Sequence, residues 1–178
     1  SMARPLASAK LKGIFGDGFD YEAVRSKRVE LMDNYVEKNG IEVKSGAKEL
    51  LSFLKENGYK VALATATPPQ RAERYLKAHD LYKYFDVTVS ASMVSVGKPA
   101  PDIYLKAAEM LGLSPQNCVA LEDSPNGIKS ASSAGCVTVM VPDLDKPSND
   151  IIPLLHGVAD GLSDVKRILR ELEDCNIQ

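Results

Sequence analysis

Tryptophan is absent from this sequence, histidine occurs twice and cysteine three times in 178 residues, so the usual metal and redox ligands are scarce. Cys118, Cys136 and Cys175 make an odd set with no Cys-x-x-Cys spacing, which argues against a disulfide framework and offers no zinc site. They read as small buried hydrophobes in a reducing compartment. His79 and His156 stand far apart and read as structural or exposed side chains. No apolar run reaches the roughly 20 residues that span a bilayer, and no charged segment followed by an apolar one opens the chain. The expectation is a cytoplasmic protein with no membrane partner. Excess positive charge is missing too. Lys and Arg number 22 against 24 Asp and Glu, dispersed along the chain for a net charge of −2, which argues against nucleic acid as a partner. What remains, 44% hydrophobic and 26% charged residues, is ordinary globular composition. The length suits one domain plus a small accessory module, and a monomer is expected.

From Ala47 onward the pattern is regular. Ala47, Leu50, Leu51 and Leu54 form one apolar helix face ending at Asn57-Gly58, followed at once by the apolar run Val61-Ala62-Leu63-Ala64. The same unit recurs twice. Tyr104, Ala107, Ala108 and Leu111 make a face stopped by Gly112 before Cys118-Val119-Ala120-Leu121. Ile128, Ala131 and Ala134 make another, stopped by Gly135 before the run Val137 to Val141. Asp86-Val87-Thr88-Val89 and Val158-Ala159 are further strand candidates, and Val165, Ile168, Leu169 and Leu172 form a closing helix. Helix, terminal glycine and apolar strand in repetition imply crossover connections, hence an α/β fold of the doubly wound, Rossmann-like kind with a parallel sheet. The first 43 residues differ. They show two helical segments around Gly16-Asp17-Gly18 and no strand, which predicts a separate helical module at 1–43 ahead of an α/β core at 44–178.

In parallel α/β sheets ligands bind beyond the carboxyl ends of the strands, and two of those ends, with a loop between them, are polar. The first strand runs into Thr65-Ala66-Thr67, a hydroxyl with adjacent backbone amides that can hold phosphate oxygens or simply build a local turn. The Cys118 to Leu121 strand runs into Glu122-Asp123-Ser124-Pro125. Asp123 or Ser124 can cap the following helix, but capping explains only one of the two carboxylates. Paired carboxylates repel unless a cation lies between them, and hard oxygen donors suit magnesium. Between these ends lies Gly97-Lys98-Pro99-Ala100-Pro101-Asp102, a lysine in a stiff loop where an ammonium can be held in place for phosphate.

Together, Thr65, the loop from Gly97 to Asp102 and Glu122-Asp123-Ser124 resemble the second, third and fourth signature motifs of the haloacid dehalogenase superfamily. The likeness is to the branch that holds beta-phosphoglucomutase and related sugar-phosphate phosphatases. The resemblance implies a magnesium-dependent phosphatase acting on a small phosphorylated metabolite, a sugar phosphate, through an aspartyl-phosphate intermediate. It implies that Thr65, Ala66, Thr67 and Lys98 contact the phosphoryl group, with Thr65 and Lys98 catalytic, and that Glu122 and Asp123 hold Mg2+. Residues 1–43 would be part of a helical cap, with Arg4 on the substrate phosphate. A sugar-phosphate mutase and a non-catalytic relative are the alternatives; Leu31, where a mutase would place a second cap cation, favours the phosphatase.

One motif of that family is missing. Its first strand ends in Asp-x-Asp-Gly and carries the nucleophile, whereas here Asp143-Leu144-Asp145 is followed by Lys146 and comes after the long strands. The resemblance puts the missing strand in the middle of the sheet, between the strand ending at Thr65 and the one ending at Glu122. The expectation is therefore a chain that is inactive by itself, with a nucleophile-bearing segment ahead of Ser1 in a longer polypeptide. Asp143 is expected to take no part in the site.

Overall fold

The structure, a computed structural model, describes residues 4–175. The chain divides into two compact units with the boundary between Val43 and Lys44. The first holds α1 (Arg4–Phe15) and α2 (Tyr21–Asn39). Gly16, at φ +90°, turns the chain out of α1, and the Asp20 side chain caps α2 by accepting from the Ala23 amide at 2.9 Å. Phe15 and Phe19 stack across the turn with centroids 5.2 Å apart. The apolar residues of α2 do not form a core. No residue of that helix is buried, and Leu31, Met32 and Tyr35 are more than half exposed.

The second unit is α/β: α3 (Ala47–Glu56), β1 (Ala62–Thr65), α4 (Pro69–Ala78), β2 (Val87–Ser90), α5 (Asp102–Leu111), β3 (Val119–Glu122), α6 (Pro125–Ser133), β4 (Val137–Met140), β5 (Gly157–Val158) and α7 (Val165–Cys175). Every strand pairing is parallel, as the crossover helices require. Glycine ends α5 in the left-handed conformation, Gly112 at φ +67°. On one side of β4, Val139 packs with Leu50 of α3 and with Val165, Ile168 and Leu169 of α7. On the other, Met140 packs with Ile128 of α6 and with Ile151. Alternate residues of one strand thus feed two helical layers, the doubly wound arrangement. A third cluster joins α5 to the first two strands through Val89, Ile103 and Ala107.

The strands form two sheets, not one. β1 pairs with β2, and β3, β4 and β5 run in that order in a second sheet. Among the described residues β1 and β3 therefore each keep one edge without a strand partner. Both strands line a single cavity of about 830 Å3, whose walls include Ala62, Ala64, Ala120 and Leu121.

The last helix is tied back by Tyr59, whose hydroxyl donates to Glu173 of α7. Burial, then the hydrogen bond and charge of Glu173, pushes the Tyr59 phenol up to about 12. Its folded value lies above the unfolded one, so the stabilisation is complete below about pH 10 and is lost as pH rises through about 12. In an alkaline absorbance titration, Glu173→Gln should bring one tyrosine step down from about 12 towards the ordinary value near 10. An unchanged titration would mean that the contact is not made.

Candidate functional site

The polar strand ends predicted from sequence meet at the carboxyl ends of β1 and β3, along the wall of the cavity between them. Thr65 closes β1, opposite Ser90 of β2. Its Oγ1 accepts from the Thr67 amide at 3.0 Å, so the local turn is real. The turn leaves Ala66 exposed, directly ahead of α4, whose first residues are Pro69 and Gln70. Thr65, Ala66, Lys98, Glu122 and Asp123 all line the cavity. Thr67 is half-buried beside them in sequence, and the side chain of Arg4 lies outside the described residues.

Lys98 is held by its loop from both sides. Ser130 of α6 donates to the Ala100 carbonyl at 2.6 Å, and the Asp102 carboxylate, in the first turn of α5, accepts from the Val96 amide at 3.3 Å. The ammonium forms an ion pair with Glu122 Oε1. Both side chains are withdrawn from water, 12% and 6% exposed. Desolvated charges of this kind persist only in pairs, so each depends on the other.

Glu122 and Asp123 part company. Glu122, the last residue of β3, is buried, while Asp123, just past the strand end, is exposed. Ser124 takes the cap position of α6 and accepts from the Gly127 amide at 3.2 Å, with Pro125 at the first helical position. Asp123 is thereby left free of capping duty. The pair supplies carboxylate oxygens of the kind magnesium takes, but among the described residues no group of three or more His, Cys, Asp or Glu gathers there. The two fit as part of a ligand set.

Three residues were not foreseen as belonging here. Tyr104, read only as part of an apolar helix face, donates its hydroxyl to Glu122 Oε1. Burial, then the Glu122 charge, pushes its phenol well above the ordinary value. The available signal was the residue type, since a tyrosine on a core face carries a hydroxyl that needs a partner. Gly127 is the second: a Cβ there would overlap the Glu122 carboxylate. Asp143 corrects the expectation that it stands apart. It lines the cavity and pairs with Lys44 at 3.0 Å, because the chain leaving β4 emerges at the same sheet edge as Glu122.

Lys98→Met removes the cation and strands a buried carboxylate, which should cost about 3–5 kcal/mol in urea denaturation. Lys98→Met combined with Glu122→Gln should recover part of the loss, and a single variant as stable as the wild type would show that the pair is not formed.

The model of the haloacid dehalogenase-like hydrolase family matches residues 9–135. A phosphorylated carbohydrates phosphatase of Thermotoga maritima is 40% identical over 124 residues, which are 70% of this chain and 50% of that protein. The chain spans about half the length of the curated relatives it matches. The crystal structure of CbbY from Rhodobacter sphaeroides in complex with phosphate superposes with a TM-score of 0.70 at 26% identity, over 83% of this chain and 67% of that one. That of beta-phosphoglucomutase from Clostridium difficile does so at 0.76 and 23% identity, over 99% of this chain and 80% of that one, a likeness of fold. With the signature residues gathered around one cavity and the family match covering most of its length, this chain belongs to the haloacid dehalogenase-like hydrolases.

Proposed function

We propose that the chain is the phosphate-binding part of a phosphatase that hydrolyses a small phosphorylated carbohydrate. The observation that carries this reading is the convergence of Thr65, Lys98, Glu122 and Asp123 on one cavity at the strand ends. Support for the substrate class comes from the phosphatase relative, whose name specifies phosphorylated carbohydrates. In this reading the Thr65 hydroxyl and the backbone amides of Ala66 and Thr67 receive phosphoryl oxygens. The Lys98 ammonium neutralises part of their charge, since positioning and charge neutralisation supply most of the catalysis in phosphoryl transfer.

Glu122 and Asp123 are the side chains that would hold Mg2+. When bound, the ion neutralises phosphate charge and orients the transferring group. The nucleophile is an aspartate on a strand that occupies the space between β1 and β3. Its carboxylate oxygen attacks phosphorus as the bond to the ester oxygen breaks, the leaving oxygen takes a proton from a second aspartate of the same segment to depart as the alcohol, and water then hydrolyses the aspartyl-phosphate to release inorganic phosphate. No residue of the described chain takes that part. The lining of the space supports the reading: two strands that each keep an unpaired edge among the described residues, apolar walls, and Lys98 among the polar residues at the strand ends.

The chain by itself should not hydrolyse an aryl phosphate in the presence of Mg2+. In a polypeptide that supplies the nucleophile strand, hydrolysis should appear, and Lys98→Ala or Asp123→Ala should each lower its rate about 100-fold or more. Full activity in either variant would overturn the assignment. Phosphate release from a sugar phosphate, as opposed to isomerisation of it, separates phosphatase from mutase.

A further inference from the structure

Glu122 has more partners than an ion pair with Lys98 requires. Its Oε1 is shared by the Lys98 ammonium and the Tyr104 hydroxyl. Its Oε2 lies 3.5 Å from Ser124 Oγ, on the side where Gly127 leaves room. Tyr104 touches the other member of the pair as well, because the Lys98 ammonium stands 5.1 Å from the centroid of its ring. One side chain therefore grips both charges, with its hydroxyl on the anion and its ring against the cation.

Packing alone does not explain the hydroxyl. The ring joins two core clusters, one with Ala120, Ala131 and Cys136 and one with Val89, Ile103 and Ala107, and phenylalanine would fill both contacts equally. What phenylalanine lacks is the donor. A carboxylate this deeply enclosed is stabilised by a hydrogen bond and suffers when it is left without one. A long lysine side chain otherwise retains several rotamers, and only its partner selects among them.

We propose that Tyr104 is a positioning residue. It fixes the Glu122 carboxylate and, through it, aims the Lys98 ammonium at the strand ends where the phosphoryl group is read to bind. The inference rests on that reading for the use of the aimed lysine, but the arrangement itself can be measured without turnover.

The test is competitive acetylation of the intact chain, with the labelling rate of each lysine read by peptide mass spectrometry. Lys55, paired with Asp86 away from the site, serves as the internal reference. In Glu122→Gln, Lys98 should label about tenfold faster than in the wild type, the factor expected for loss of one hydrogen bond to a charged group. In Tyr104→Phe it should label severalfold faster, with Lys55 unchanged. The double variant should match Glu122→Gln alone, because Tyr104 works only through that carboxylate. Lys98 labelling at the wild-type rate in Tyr104→Phe, while Glu122→Gln raises it, overturns the role of Tyr104 and leaves the ion pair standing. A rise at Lys98 and Lys55 together assigns Tyr104 to general stability and also overturns it. No rise in Glu122→Gln removes the ion pair, and with it both this inference and the part given to Lys98 above.

Discussion

A carboxylate at the end of β3, almost withdrawn from water, is the constraint on which the site depends. Lys98 reaches Glu122 from a loop 24 residues earlier in the chain, and the buried carboxylate depends on that ion pair. That requirement fixes the loop. Ser130 holds one of its carbonyls and Asp102 one of its amides, so the lysine stem enters from a backbone that is already anchored. It also fixes the neighbours: a tyrosine hydroxyl on one side, and on the other a glycine, because no larger residue fits against the carboxylate. The same interaction connects the two parts of the α/β unit. Lys98 and Tyr104 belong to the segment that packs on β1 and β2, whereas Glu122 ends the first strand of the other sheet.

Those two sheets would otherwise have little in common along their facing edges. β1 and β3 line the same cavity with alanine and leucine side chains, and neither edge has a strand partner among the described residues. Unpaired backbone groups in such a place cost about 1–3 kcal/mol each once water is excluded. The helices hold the walls apart. α5 is anchored on β1 and β2, while α3, α6 and α7 cover β3 and β4 from both faces. The space is therefore shaped as a slot with a charged rim, and its rim is where Thr65, Lys98 and Asp123 stand. An extended, parallel segment would complete both ladders at once and present its last side chains to that rim.

Much of this was legible in the sequence wherever a periodic pattern met a stop signal. The helix faces around Leu50, Ala107 and Ile128, ended by glycine or Asn57-Gly58, appear where expected, and the strands that follow them start within a residue or two of the predicted runs. The polar strand ends were legible for the same reason, since parallel strands deliver their last residues to a common edge. What escaped were features set by three-dimensional neighbours. That Glu122 turns inward at the end of β3 while Asp123 beyond it stays exposed depends on where α5 and α6 pack. Tyr104 looked like core because its ring is core; only its hydroxyl is not. Asp143 was legible as following a strand on the same side as the site, but its place in the lining of the cavity was not.

The central claim is that the ends of β1 and β3 and the Lys98 loop form one phosphate-binding rim before any nucleophile is present. Titration of the isotope-labelled chain with inorganic phosphate and Mg2+, followed by amide chemical shifts, tests it most directly. The account predicts saturable shifts confined to Thr65, Ala66, Thr67 and the Gly97 to Asp102 loop, together with Asp123. Shifts spread evenly over exposed lysines such as Lys27, Lys77 and Lys106, with the rim unmoved, would contradict it.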